Sequence, residues 1–342
     1  MKFLPIVFIS ALCLTSNAAL ANTPMVEKVV SYQTTIEKNQ DAADIYFPLL
    51  SNNSDASKLP IVLMLQGAFV DKSNYSNYAS QVASYGFAVV VPNRIRTALA
   101  PSGQSFTGLI SEQQQVYDVQ EQLVKENANP ASPIYRRVDT EKVGLLGHSL
   151  GGFAGLGAIQ EEFCFPSICN SGYKVPPQLK AGIFYAAPFG DAQSQTVFPL
   201  DNRDIPVGLI VGTQDSVTSF NVLKETYNQV KNPPKVFIEV EGANHYGITN
   251  NDNLIREKNR PTLNQATATE TIARWSGLFL RANILNDADA FNYVFVTGDE
   301  LDKNVRVTSQ SKPIPENSSI ASLLLFCTSV FSLKKRVIKI LK

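Results

Sequence analysis

The chain has 342 residues, 44% of them hydrophobic, with 30 basic and 30 acidic residues and only two histidines. That is enough apolar material for a sizeable core. Six basic residues (Lys2, Lys334, Lys335, Arg336, Lys339, Lys342) sit at the two ends, which leaves an acidic body without the basic stripe that a nucleic-acid binder needs.

Lys2 precedes a mostly apolar run from Phe3 to Leu14, and Ala19-Leu20-Ala21 has the small-x-small form of a cleavage site. This order predicts a secretory signal peptide over 1–21, with the mature chain starting at Asn22. Val29 to Ile36 and Ala42 to Phe47 read as early strands, antiparallel to each other, ahead of a polar loop. Pro60 to Leu65 is unbroken apolar sequence, as expected of a strand buried on both faces of a parallel sheet. A helix is expected over Tyr75 to Tyr85, a buried strand over Phe87 to Val91, and then a polar loop holding Pro101, Gly103 and Gly108. Ser111 to Glu126 has the pattern of an amphipathic helix with Ser111 as its N-cap. A short apolar strand around Val143 to Leu146 leads into Gly147-His148-Ser149-Leu150-Gly151, and the small apolar run Gly152 to Ile159 reads as a buried helix.

Three further strands are expected over Ala181 to Ala186, Pro206 to Val211 and Lys235 to Val240, with a helix over Val217 to Gln229. Thr262 to Arg281 reads as a long final helix containing the single tryptophan, Trp275, and 287–308 as an extra helix or a hairpin. Alternating strands and helices predict the α/β class: a mostly parallel central sheet with helices on both faces and right-handed crossovers. The body, 22–311, is expected to form a single domain.

Gly147 to Gly151 reads G-x-S-x-G between a strand and a helix. That context puts Ser149 on a sharp corner with its hydroxyl exposed, and the glycines leave room for the turn. A serine nucleophile needs a base. His148 lies beside Ser149 in the turn and is expected to point away from the site. His245 lies in a Gly-flanked loop directly after the 235–240 strand, on the sheet edge where α/β proteins place ligands. Asp215, just beyond the 206–211 strand, is the best-placed carboxylate to orient it, with Asp191 and Asp204 as competitors; read structurally, Asp215 would cap the following helix. Ser149, Asp215 and His245 follow the chain order of an α/β-hydrolase triad. For the oxyanion, the expected donors are the backbone N–H groups of Leu150 and of Ala68, in Gln66-Gly67-Ala68-Phe69, with Phe69 second to Ala68. Phe69 and Tyr246 are candidate pocket residues. Neither a metal nor an organic cofactor is called for.

Of four cysteines, Cys164 and Cys169 fall in the exported body and are expected to pair as a disulfide closing a small loop after the nucleophile helix. The end of the chain is unusual: Pro315-Glu316-Asn317, an apolar run over 318–333 and a basic tail over 334–342. The run is short for a membrane span of roughly 20 residues. Residues 312–342 read as a sorting or anchor segment. They resemble the bacterial PEP-CTERM signal read by exosortases, with Asn317 where that signal has its second proline, and the resemblance implies exosortase-type processing. The bland reading is a plain C-terminal anchor.

Through Gln66-Gly67-Ala68-Phe69, Gly147 to Gly152, Gly212-Thr213-Gln214-Asp215 and Ala243-Asn244-His245-Tyr246, roughly Val29 to Ile284 resembles the serine α/β-hydrolases. The likeness is to the branch holding chlorophyllases, platelet-activating-factor-acetylhydrolase-like lipases and polyester-degrading cutinases. The resemblance implies the α/β-hydrolase fold and hydrolysis of carboxylic esters, of lipids or polymers, through an acyl-enzyme. With the signal peptide, it gives an exported or surface-held esterase delivered by the secretion machinery. Two rivals stand beside it: an acyltransferase with the same triad, and a non-catalytic surface binding protein.

Overall fold

A computed structural model describes residues 28–49, 58–99, 104–160, 172–191 and 196–311, with Pro24, Val26 and Phe165 besides. The expected signal peptide, the Cys164–Cys169 pair and the C-terminal segment 312–342 lie outside the described residues.

Eleven strands are β1 (Val29–Ile36), β2 (Asp41–Pro48), β3 (Leu59–Leu65), β4 (Ala88–Pro92), β5 (Ile95–Leu99), β6 (Ser105–Leu109), β7 (Val138–His148), β8 (Leu179–Tyr185), β9 (Val207–Gly212), β10 (Lys235–Val240) and β11 (Val305–Gln310). The principal helices are α1 (Ser76–Ser84), α2 (Gln115–Ala128), α3 (Leu150–Ala158), α4 (Phe220–Gln229) and α5 (Gln265–Ile284). After α5 come α6 (Ala288–Asn292), a π-helical turn (Tyr293–Thr297) and α7 (Gly298–Leu301).

Nine strands form one sheet in the order β1-β2-β4-β3-β7-β8-β9-β10-β11. From β4 to β10 every neighbouring pair is parallel; β1, β2 and β11 add antiparallel edges. The parallel strands are apolar on both sides because both faces are covered. Val62 and Met64 join α1 and α5 in one core with Tyr75, Tyr78, Trp275 and Phe279. Ile61, Leu63 and Leu65 join α2, α3 and α4 in the other with Val116, Phe153 and Tyr227. This is the α/β-hydrolase architecture expected from the sequence.

Three expectations need correcting. Where the sequence predicts a polar loop after β4, strands β5 and β6 pair antiparallel with each other, separate from the main sheet. The root of this pair is held by Arg94 and Arg96, both paired to Glu112. Ser111 does not cap α2. The helix starts at Gln115, and Ser111 Oγ donates instead to the Gln66 carbonyl at 3.0 Å, tying the start of this segment to the loop after β3. Residues 287–308 form neither a helix nor a hairpin alone. A short helical stretch leads into β11, which pairs antiparallel with β10. Asp302 accepts from Arg274 at 2.8 Å and from the Trp275 indole at 2.9 Å, fixing that stretch to α5.

Candidate active site

The end of β7 turns abruptly into α3. Ser149, between them, has φ 53° and ψ −120°, a region that residues with a Cβ rarely occupy. Its N–H donates to the Tyr185 carbonyl of β8 at 2.9 Å and its carbonyl accepts from Phe153, so the corner is held on both sides. Gly151 is required by contact: a Cβ there would stand 2.2 Å from the Leu65 carbonyl oxygen. Ser149 is partly exposed, and its hydroxyl has no hydrogen-bond partner among the described residues.

Two strands along the same edge, β9 ends at Gly212 and Asp215 follows; β10 ends at Val240 and His245 follows. The structure joins these two. Asp215 Oδ2 accepts from His245 Nδ1 at 2.9 Å, with both side chains 1% exposed. Asp215 Oδ1 accepts from the backbone N–H groups of Val217 and Thr218, each at 2.8 Å. The carboxylate is thus oriented by its own loop, and it does not serve as the cap of α4, which begins after Ser219. With Nδ1 carrying the proton, Nε2 of His245 is left as the basic nitrogen. Of the three candidate carboxylates, Asp215 is the one seen bonded to His245.

His148 does not point away from the site; it packs behind His245. Its ring is buried against that of His245, centroids 4.8 Å apart, and Nε2 donates to the His245 carbonyl at 2.9 Å. Nδ1 therefore accepts, from Tyr75 Oη at 2.9 Å, and Tyr75 Oη in turn accepts from Gly67 N–H at 2.9 Å. One chain of bonds runs from the loop after β3, through Tyr75 and His148, to the His245 backbone. Burial, reinforced by the His245 imidazole, pushes the His148 pKa well below the ordinary histidine value, so it stays neutral.

The loop after β3 spends its amides unevenly. Gly67 N–H goes to Tyr75, Phe69 N–H to the Leu109 carbonyl at 2.9 Å, and Val70 N–H to Gly67. Ala68 N–H has no partner among the described residues, and the Ala68 carbonyl accepts from Arg256 Nη1 at 2.6 Å. Leu150 is the first residue of α3, so its N–H has no carbonyl one turn earlier to meet. Phe69 is 57% exposed, its ring against Phe106 of β6. Tyr246 does not line an open pocket: it is 2% exposed, packed on both histidine rings beneath Arg256. An open pocket on the acid side is bounded by Pro188, Gly190, Asp191, Asp215, Val217 and Phe220.

Residues 26–260 match the family model of PET hydrolase-like proteins. The chain belongs to the PET hydrolase-like family. The match contains the elbow, Asp215 and His245, and ends before α5. Membership of the PET hydrolase-like family places the protein among the α/β-hydrolases and implies ester hydrolysis. No curated protein matches the chain. Sequence reading of this family member passes over Tyr75, Arg256 and Glu257. None sits in a motif, and each reaches the site through a contact distant in sequence; the Arg256-to-Ala68 bond spans 188 residues.

Proposed function

We propose that this protein is an exported serine hydrolase of carboxylic esters, taking polymer or lipid esters, with Ser149, His245 and Asp215 as its triad. The observation that carries the reading is the 2.9 Å bond from His245 Nδ1 to Asp215, on the strand edge where the strained Ser149 corner lies. It leaves His245 Nε2 as the base a serine hydroxyl requires. Ser149 Oγ attacks the ester carbonyl carbon as His245 Nε2 takes its proton. The imidazolium is stabilised by Asp215, and the oxyanion by the N–H groups of Ala68 and Leu150. Collapse breaks the carbon–oxygen bond of the ester, and the alcohol leaves with the proton from His245. Water, deprotonated by His245, then releases the acid and restores Ser149.

Ala68 is favoured over Phe69 as donor because the Phe69 amide is already bonded to Leu109. The exposed Phe69 ring offers an apolar wall to an acyl group next to that donor. The family description supports a polyester among the substrates. Export rests on the 1–21 pattern, and retention at the surface on the 312–342 segment.

The test is hydrolysis of p-nitrophenyl esters from acetate to palmitate, and of a terephthalate diester, by the full chain and by Ser149→Ala. Wild-type hydrolysis should exceed that of the variant by at least about 10³-fold. A folded wild type no faster than Ser149→Ala would overturn the reading.

A further inference from the structure

Twelve residues beyond His245, Glu257 is 1% exposed and makes no ion pair among the described residues. Its carboxylate accepts four hydrogen bonds. Oε2 accepts from the backbone N–H of His245 at 3.1 Å and of Ser216 at 3.3 Å. Oε1 accepts from Ser216 Oγ, in a short bond, and from Asn259 N–H at 2.9 Å. Burial works to raise its pKa, but these donors outweigh it and hold the carboxyl below the usual range. Ser216 directly follows Asp215. One buried carboxylate therefore grips the acid loop and the base loop at once, and its negative charge lies behind the His245 backbone.

We propose that Glu257 is a positioning residue of the hydrolase: it ties Ser216 to His245, setting the Asp215–His245 register, and its fixed charge stabilises the imidazolium formed during acyl transfer. The proposal rests on the triad reading above. The protein has no need of a second carboxylate for packing alone, since burying an unpaired charge is costly unless several donors are committed to it. Here four donors are committed, three of them belonging to the two triad loops.

His245 sits among few other ionisable groups. Asp215 faces its Nδ1, and neutral His148, at the end of β7, packs against it with the rings tilted. Tyr246 packs on its edge at 5.3 Å, with Arg256 above that ring. Tyr185, from β8, donates to the Asn244 carbonyl, and Asp252 accepts from the Asn244 amide at 2.8 Å. Removing the Glu257 charge leaves all of these in place. The imidazolium then loses a favourable neighbour, so its proton is held less tightly.

The chain has only two histidines, so imidazole titration by NMR reads His245 directly in the full-length protein, whether or not it turns over. Glu257→Gln should move the His245 midpoint down, lower kcat at least about tenfold, and change KM less than about twofold. Ser216→Ala keeps the charge and removes one tether; it should lower kcat without moving the midpoint. A folded Glu257→Gln with an unmoved His245 midpoint overturns the proposal, because a purely structural role would leave it there. If Glu257→Gln fails to fold, Ser216→Ala decides: wild-type kcat overturns the tie, and reduced kcat with an unshifted midpoint upholds it. If these variants keep wild-type kcat and midpoint while Ser149-dependent hydrolysis persists, the Glu257 role alone is overturned; absence of that hydrolysis in the wild type overturns the triad reading and this proposal with it.

Discussion

His148 shows how a residue beside a nucleophile can matter without reacting. Buried and bonded at both nitrogens, it relays between Tyr75 and the His245 carbonyl. The unfolded chain takes up a proton here as pH falls through about 6.5, whereas the folded protein resists it, so the unfolded state binds more protons. Stability from this site is thus complete above pH 6.5 and declines below it, by up to about 1.4 kcal/mol per pH unit. His148→Gln cannot take up that proton. The stability gap between wild type and variant, from urea melts at pH 8 to 5, should be widest at pH 8 and narrow as acid is added. A gap independent of pH would show that His148 does protonate freely in the folded state. At this scale Ser149, Asp215 and His245 were legible as candidates because each follows an apolar strand and carries the chemistry a triad needs. His148 and Tyr75 were not, because their contribution lies in partners 97 and 73 residues away.

At the scale of elements, local pattern sufficed wherever burial was continuous. β3 and β10 run over Leu59–Leu65 and Lys235–Val240, within one residue of what their apolar runs predict. It failed where long-range pairing decides. The half-polar β5 and β6 pair with each other over a root gripped by Glu112. The stretch after α5 is likewise fixed from a distance, by Asp302 against Arg274 and Trp275, with Asp302 7% and Arg274 9% exposed. Asp302→Asn retains an acceptor for the indole but removes the charge opposite Arg274. Arg274 keeps its pair with Glu270 at 2.8 Å, so what is lost is one charge-assisted hydrogen bond rather than the charge's sole partner, about 1.5–3 kcal/mol, and the urea midpoint should fall by that equivalent. A midpoint within about 0.5 kcal/mol of wild type would show that β11 is held by its pairing with β10 alone.

Across the whole molecule, three of the eight non-glycine residues with positive φ among the described residues lie where the chemistry is proposed. Phe69 after β3, Ser149 after β7 and Ala186 after β8 are all non-glycine residues with positive φ, and these three strands are neighbours in the sheet. A sheet with both faces packed can hold such corners, since its core fixes where each strand must end. Strain of this kind costs about 1–3 kcal/mol per residue, and removing it should stabilise the fold while destroying its use. Comparing Ser149→Gly with Ser149→Ala isolates the effect. Both lack the hydroxyl and both should be inert towards esters. Alanine keeps the Cβ and therefore the strain; glycine relieves it, against a loss of about 0.5–1 kcal/mol from its freer unfolded chain. The glycine variant should accordingly melt higher than the alanine variant, the reverse of the order at an ordinary helix or strand position. If alanine proved the more stable, the elbow would not be a strained corner, and the geometric basis for an exposed, poised Ser149 hydroxyl would go with it.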